Sequence, residues 1–257
     1  MKISIIQMDI VEGSKEENID KALSFIKKCK NSDFVVLPEL WSTGLTFNHV
    51  PELAESINGE TISLLGKVAA QEKTIIIGSI LERENSSYYN TLHIMGPGGL
   101  LGIYRKIHLF SLMRENQVLE PGTHYSTFPV KSCIISGIIC YDIRFPELSR
   151  ALALKGTQIL FVPAEFPHPR KNHWQVLLRA RAIENQFFVV ACNRTGQSEK
   201  YHFFGASTVI DPWGDVLVEA ADQEGIITYR INMERISECR RELPALDDIR
   251  LISTENR

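Results

Sequence analysis

Short runs rich in Val and Ile alternate with helical patterns along this chain, and the order is the same in both halves. That alternation limits the fold sharply, because a strand apolar on both faces must be covered by helices or by a second sheet. In the first half KISIIQMDI reads as a strand and SKEENIDKALSFIKKCK as a helix, with a Ser14/Glu17 capping-box pattern at its start. Ile19, Leu23, Ile26 and Cys29 fall near helical spacing and give that helix an apolar face. DFVVLPEL is a buried strand that Pro38 stops, leaving Glu39 just past its end. TISLLGKVAAQEK is helical and leads to the strand TIIIGSIL, after which NTLHIMGPGGLLGIYRK reads as two strands around a Gly/Pro turn.

The second half repeats this grammar. SCIISGIIC is a strand ending at Cys140, and PELSRALALKG is a helix with Pro146 near its start and Gly156 at its end. QILFVPAE is another strand halted by proline, and NHWQVLLRARAIEN is a helix with Trp174, Leu177 and Leu178 on one face. FFVVACN is a strand, and ASTVIDPWGDVLVEA is a hairpin around DPWG. Two similar sheets, each covered by helices on one side, are therefore expected to pack face to face as an α/β four-layer sandwich. No linker or low-complexity segment interrupts the chain, so residues 1–257 are expected to form a single domain. From about Glu242 the periodicity is lost, and the tail is expected to wrap a surface or a partner subunit.

A chain of 257 residues at 44% hydrophobic can bury a sizeable core, and a net charge of −3 offers no bulk attraction to nucleic acid or anionic membrane. MKISIIQMDIVEG is broken by Gln7 and Asp9 and lacks a secretory cleavage pattern, and no apolar run is long enough to span a bilayer. The cysteines (29, 133, 140, 192 and 239) are odd in number, scattered and without a CxxC pair. That speaks against a disulfide framework or a thiolate zinc site, and for a cytoplasmic setting.

Glu39, Lys106 and Cys140 lie at comparable places in this grammar, just beyond strand ends, where α/β proteins place their sites. Taken singly, Glu39 reads equally as a helix cap, Lys106 as a surface charge and Cys140 as a core thiol. Together they make a coherent site. A carboxylate of raised pKa takes the thiol proton, the sulfur attacks, and an ammonium supports the oxyanion. No metal or cofactor is needed. The competing cysteine–histidine arrangement would draw on His108, His168 or His173, none of which stands in a recognisable context with Cys140, and HPRKNH shows no convincing metal partner.

The segments LPEL, YRKIHLF and CYDIRFPEL, in that order, resemble the signature segments of the nitrilase superfamily, the carbon–nitrogen hydrolases. The similarity extends over PAEF, HWQVLLRARAIENQ and GASTVIDPWGDVL, and so over nearly the whole chain. The resemblance implies an αββα sandwich paired into a homodimer or higher homo-oligomer, with part of the HWQVLLRARAIENQ helix at the contact. It also implies a Glu39–Lys106–Cys140 triad, a second glutamate best matched by Glu115, the Tyr141 backbone N–H as an oxyanion donor, and a thioester intermediate. The partners implied are a small amide substrate and water. The segments are most similar to the ω-amidase-like branch, which releases ammonia from terminal amides of 2-oxo acids such as 2-oxoglutaramate. A deaminated-glutathione amidase, an N-carbamoyl amidohydrolase and a silent binding protein on the same fold stay open. A carboxylate-bearing substrate needs a cation, for which Arg144, Arg170 and Lys171 are candidates, although Arg144 also reads as an ion-pair partner of Glu147. Trp41, Phe47, Tyr141 and Phe166 are candidate apolar walls, with Glu165 nearby.

Overall fold

The structure, a computed structural model, describes residues 1–251. The first half runs β1 (Lys2–Gln7), α1 (Lys15–Ile26), β2 (Phe34–Val36), α2 (Val50–Leu53), α3 (Glu60–Glu72), β3 (Ile75–Glu84), β4 (Ser87–Gly96) and β5 (Gly99–Arg105). After a long connection come β6 (Phe128–Val130), β7 (Cys133–Gly137), α4 (Pro146–Leu154), β8 (Ile159–Ala164), α5 (Lys171–Asn185) and β9 (Phe188–Asn193). The remainder is β10 (Thr195–Gln197), β11 (His202–Phe204), β12 (Thr208–Ile210), β13 (Val216–Glu219), β14 (Gly225–Arg230) and α6 (Glu234–Glu242).

Two six-stranded sheets result, ordered β14-β1-β2-β3-β4-β5 and β13-β12-β9-β8-β7-β6. Each has a parallel centre, β1–β2–β3 in one and β7–β8–β9 in the other. The flanking strands are antiparallel in both: β14 and the β4–β5 hairpin in the first, β6 and the β12–β13 hairpin in the second. The repeat read from the sequence is thus a repeat of sheet design.

Strand alternation distributes the core. Ile3, Ile5, Phe34, Val36, Ile75 and Ile77 join the cluster between the sheets, where the Phe34 and Phe161 ring centroids are 5.2 Å apart. Their neighbours Val35, Leu37 and Ile76 pack outward on Ala22 and Ile26 of α1 and on Leu65, Val68 and Ala69 of α3. Helices α4 and α5 cover the other sheet through Leu148, Leu152, Trp174, Leu178 and Ala182. The sheets meet closely at Gly137, where a Cβ would lie 2.5 Å from Leu92 Cδ1, so a larger residue would displace Leu92. Two helical layers therefore enclose two sheets, as expected.

Several local expectations fail for physical reasons. Ser14 makes no side-chain cap; instead the buried Asn18 side chain accepts from Val11 N–H and donates to the Val11 and Ser42 carbonyls. Pro163 does not end β8, which continues to Ala164 with Pro163 opposite Cys192. Phe161 accepts from Ile138 N–H, and Pro163, two residues on, faces the same side beyond the end of β7, where no ladder donor is required. The strand before Cys140 ends at Gly137, and Cys140–Arg144 form a 3-10 turn. Strand β14 and helix α6 carried no sequence expectation. Of the tail, residues 243–251 are mostly exposed, and 252–257 lie outside the described residues.

Candidate active site

Strands of both sheets, parallel and antiparallel, deliver their ends to one place. Glu39 follows β2 past Pro38, and Leu40 after it has φ +42°. Lys106 follows β5, two residues beyond Tyr104, whose side chain lies in the core between the sheets. Cys140 opens its 3-10 turn at φ +44°, a left-handed conformation rarely taken by a non-glycine residue. The tertiary structure therefore holds the thiol in a strained backbone position, a common property of functional residues.

The three side chains meet, and Glu115 joins them, all buried to within 7% exposure. Lys106 Nζ donates to Glu39 Oε1 at 2.7 Å and to both Glu115 oxygens at 3.0 and 2.8 Å. Glu39 also accepts from Asn90 Nδ2 at 2.8 Å and, on Oε2, from the Glu165 backbone N–H at 2.9 Å. Glu115 accepts from Asn90 Nδ2 at 3.2 Å and from Phe110 N–H at 2.7 Å. Burial alone would lower the Lys106 ammonium, but Glu115, Glu39 and Cys140 hold it well above its ordinary value. Burial raises Glu115, with Lys106 opposing and Glu39 adding to the rise. Cys140 is pushed well above the ordinary thiol range by burial and then by the Glu39 carboxylate, against the pull of Lys106. Cys140 is thus a neutral thiol beside a carboxylate, an arrangement suited to proton removal from sulfur.

The turn carrying Cys140 is anchored by Asp142, which is fully buried. Its carboxylate accepts from Tyr104 Oη at 2.7 Å, Ile139 N–H at 2.9 Å and His108 N–H at 3.0 Å, with His108 Nδ1 at 2.8 Å. The same Tyr104 hydroxyl accepts from Ile107 N–H at 3.2 Å. One acidic group therefore ties the segments around Lys106 and Cys140 together. His108 is occupied in this anchor and stacked 3.7 Å from Phe145, away from any role as a partner of Cys140.

A small cavity opens on the cluster. Glu39, Lys106, Glu115, Cys140 and Glu165 line it together with Leu45, Phe47, Phe110, Met113, Tyr141, Arg144, Phe166, Pro167 and Arg170; the first five are buried and the two arginines half-buried. Of the expected wall residues, Phe47, Tyr141 and Phe166 are here. Trp41 is not: it packs beneath Gly78 in the core between the first sheet and its helices. Lys171, at the start of α5, also lies off the cavity lining. The alternative pairing of Arg144 with Glu147 does not form; Arg144 sits 3.3 Å from His173 Nδ1 and lies over the Phe166 ring, 5.1 Å from its centroid. Among the described residues neither Arg144 nor Arg170 has a carboxylate partner within ion-pair distance. Burial holds Arg144 below its ordinary value.

Asn90, Asp142, Tyr104 and Arg194 were not singled out in the sequence. Asn90 had one available signal: it shares a strand face with Leu92 and Ile94, which pack between the sheets, and asparagine is depleted in strands. A further cluster lies apart from the cavity cluster, on the surface. His168, His202 and Asp222 are exposed and bring ligand atoms within 4.8 Å of one another, so His168 does have neighbours of metal-ligating type.

The geometry matches a known family. A model of carbon-nitrogen hydrolases matches residues 2–241. A 2-oxoglutaramate amidase of Bacillus subtilis (strain 168) is 46% identical over 251 residues, covering 96% of this chain and 97% of that protein. The omega-amidase NIT2 of Homo sapiens is 36% identical, covering 95% and 92%. The crystal structure of a CN-hydrolase superfamily protein from Xanthomonas campestris, with an arsenic adduct in its active site, superposes with a TM-score of 0.93 at 31% identity, covering 98% of each chain. This chain belongs to the carbon-nitrogen hydrolase family, and it is an amidase acting on a C–N bond.

Proposed function

We propose that the protein is an ω-amidase that hydrolyses the terminal amide of 2-oxoglutaramate or a close 2-oxo acid amide, with Cys140 as nucleophile. One observation carries this reading: a buried Glu39–Lys106–Glu115 cluster and the Cys140 thiol line a small cavity together with two half-buried arginines that have no carboxylate partner among the described residues. The 46% identity to a 2-oxoglutaramate amidase supports the substrate.

Glu39 takes the Sγ proton as the sulfur attacks the amide carbon. The developing oxyanion lies between the Lys106 ammonium and the Tyr141 backbone N–H, which precedes the first hydrogen-bonded N–H of its turn, that of Asp142. Glu39 returns the proton to the nitrogen, ammonia leaves, and a thioester remains on Cys140. Water, deprotonated by Glu39, then attacks the thioester and releases the acid and the thiol. Glu115 fixes Lys106, and Asn90 fixes both glutamates. Arg144 and Arg170 supply positive charge for the substrate's distal carboxylate, while Phe47 and Phe166 enclose its short methylene chain. Neither a metal nor a cofactor enters this chemistry.

The reading includes a homodimer in the cytoplasm. Exposed Val176 and Ile183 on α5 and Leu154 on α4, at 55%, 49% and 49% exposure, support an association face on the outer helical layer. The testing experiment measures ammonia release from 2-oxoglutaramate, glutamine, deaminated glutathione, an N-carbamoyl amino acid and a simple nitrile. Preference for 2-oxoglutaramate is expected; preference for any other member removes the 2-oxo acid assignment.

A further inference from the structure

Hydrogen bonding inside the cavity leaves one acceptor over. Both Glu39 oxygens are engaged, Oε1 with Asn90 and Lys106 and Oε2 with the Glu165 N–H. Both Glu115 oxygens are engaged as well, Oε1 with Asn90 and Lys106 and Oε2 with Lys106 and the Phe110 N–H. Glu165 differs. Its Oε2 accepts from Arg194 Nη1 at 2.6 Å, but Oε1 is buried and has no partner among the described residues. Of the side chains lining the cavity, it alone has such an atom.

Arg194 cannot turn to cover it. Its Nη2 donates to the Ile10 carbonyl at 2.6 Å, its Nη1 also reaches Glu12 at 3.3 Å, Asp9 lies 3.6 Å from Nη2, and the guanidinium lies 4.2 Å from the Phe203 ring centroid. Lys106 is held between Glu39 and Glu115. A buried acceptor without a donor is costly, and a ligand that brings a donor relieves that cost. An amide bound for attack directs its carbonyl oxygen to the oxyanion donors and presents N–H groups on the leaving nitrogen.

We propose that Glu165 Oε1 accepts a hydrogen bond from the leaving –NH2 of the substrate, making Glu165 the residue that selects a primary carboxamide over an ester of the same acid. The proposal rests on the amide-hydrolase reading and adds to it the part of the substrate that the buried carboxylate recognises. An ester puts an oxygen where the nitrogen was and leaves Oε1 unmatched, which is the situation in which a polar site discriminates strongly. Burial pushes the Glu165 carboxyl up to about 8 against the pull of Arg194, and an N–H donor at Oε1 favours the ionised form.

The discriminating variant is Glu165→Gln. Its side-chain oxygen stays on Arg194, so its –NH2 takes the Oε1 position and a donor replaces the acceptor, while the backbone N–H to Glu39 is kept. The wild type and the variant are compared on a primary amide and the methyl ester of the same acid, built on whichever carboxamide the wild type hydrolyses best. Failure on 2-oxoglutaramate would therefore change the acid without touching this test. The expected result is a fall of about 30-fold or more in kcat/KM for the amide, the size associated with an unmatched buried polar group, with no loss for the ester, whose alkoxy oxygen can accept from the –NH2 of the variant. Parallel losses on both substrates, or no loss on the amide, overturn the proposal. A wild-type measurement stands even if the variant folds poorly. Esters are intrinsically more reactive than amides toward nucleophiles, so the wild-type amide-to-ester ratio of kcat/KM is read against the ratio for alkaline hydrolysis of the same pair; enrichment of the amide by about 30-fold or more is expected, and no enrichment overturns the proposal.

Discussion

At Lys106 one ammonium answers two buried carboxylates, and its contribution to the site is structural as well as chemical. Replacing it by Met leaves Glu39 and Glu115 facing each other without a cation. Lys106→Met is predicted to cost about 3–5 kcal/mol in urea unfolding, because a broken buried pair strands its charges, and to remove turnover. Asn90 has a quieter task, donating one nitrogen to both glutamates. Asn90→Ala is predicted to lower kcat by about 10²-fold, since a base displaced by a fraction of an ångström acts poorly, with a smaller change in KM. An unchanged kcat would detach Asn90 from the alignment of Glu39. These residues also divide by legibility. Glu39, Lys106 and Cys140 stood out because each follows a recognisable strand-like run. Asn90 lies within such a run, and its partners Glu39 and Glu115 are 51 and 25 residues away in the chain, a pairing that no local pattern encodes.

The element that presents Cys140 is the 3-10 turn Cys140–Arg144, and a buried carboxylate within it provides its anchor. Asp142 ties the turn to Tyr104 of β5 and to the segment after it, so the lysine and cysteine segments share one anchor. Tyr104→Phe deletes one donor to a fully buried carboxylate and is predicted to cost about 1–3 kcal/mol, read from the shift in urea midpoint. A midpoint unchanged from the wild type would show that the anchor does not depend on the tyrosine. The sequence conveyed the alternation of strands and helices, both hairpins and the layer order, because apolar periodicity is a local signal. It did not convey that Pro163 sits inside β8, because this depends on β7 ending two residues short of it. Trp41 was misplaced for a related reason: its large ring suits a pocket wall, but Gly78 on β3 leaves space for it in the outer core.

On the scale of the whole molecule, burial governs the acid limb of stability and exposed apolar surface governs association. His93 on β4 is buried, and burial lowers it to about 4, with Glu82, Thr91 and Glu55 opposing the shift. Between that value and the ordinary 6.5 the unfolded chain binds the proton and the folded chain does not, so stability falls as pH drops through this window. The loss amounts to about 3 kcal/mol by pH 4, and His93→Gln is predicted to flatten the acid limb of urea stability measured from pH 7 to 4.5. Equal limbs in both proteins would refute the buried-histidine account. The outer layer of α4 and α5 carries the exposed Leu154, Val176 and Ile183. Sedimentation is predicted to show a dimer, and Val176→Asp with Ile183→Asp to shift it to monomer; a wild-type monomer would contradict this face as an interface.

The most direct test of the central claim is ammonia release from 2-oxoglutaramate by the wild type and by Cys140→Ala, each at a concentration fixed by its folded fraction. The account predicts steady release from the wild type and a loss of roughly 10⁴-fold or more in the variant, as expected when a nucleophile is removed, with the urea midpoint essentially kept. Turnover surviving in a folded Cys140→Ala protein, or a wild type silent on this amide, would contradict it.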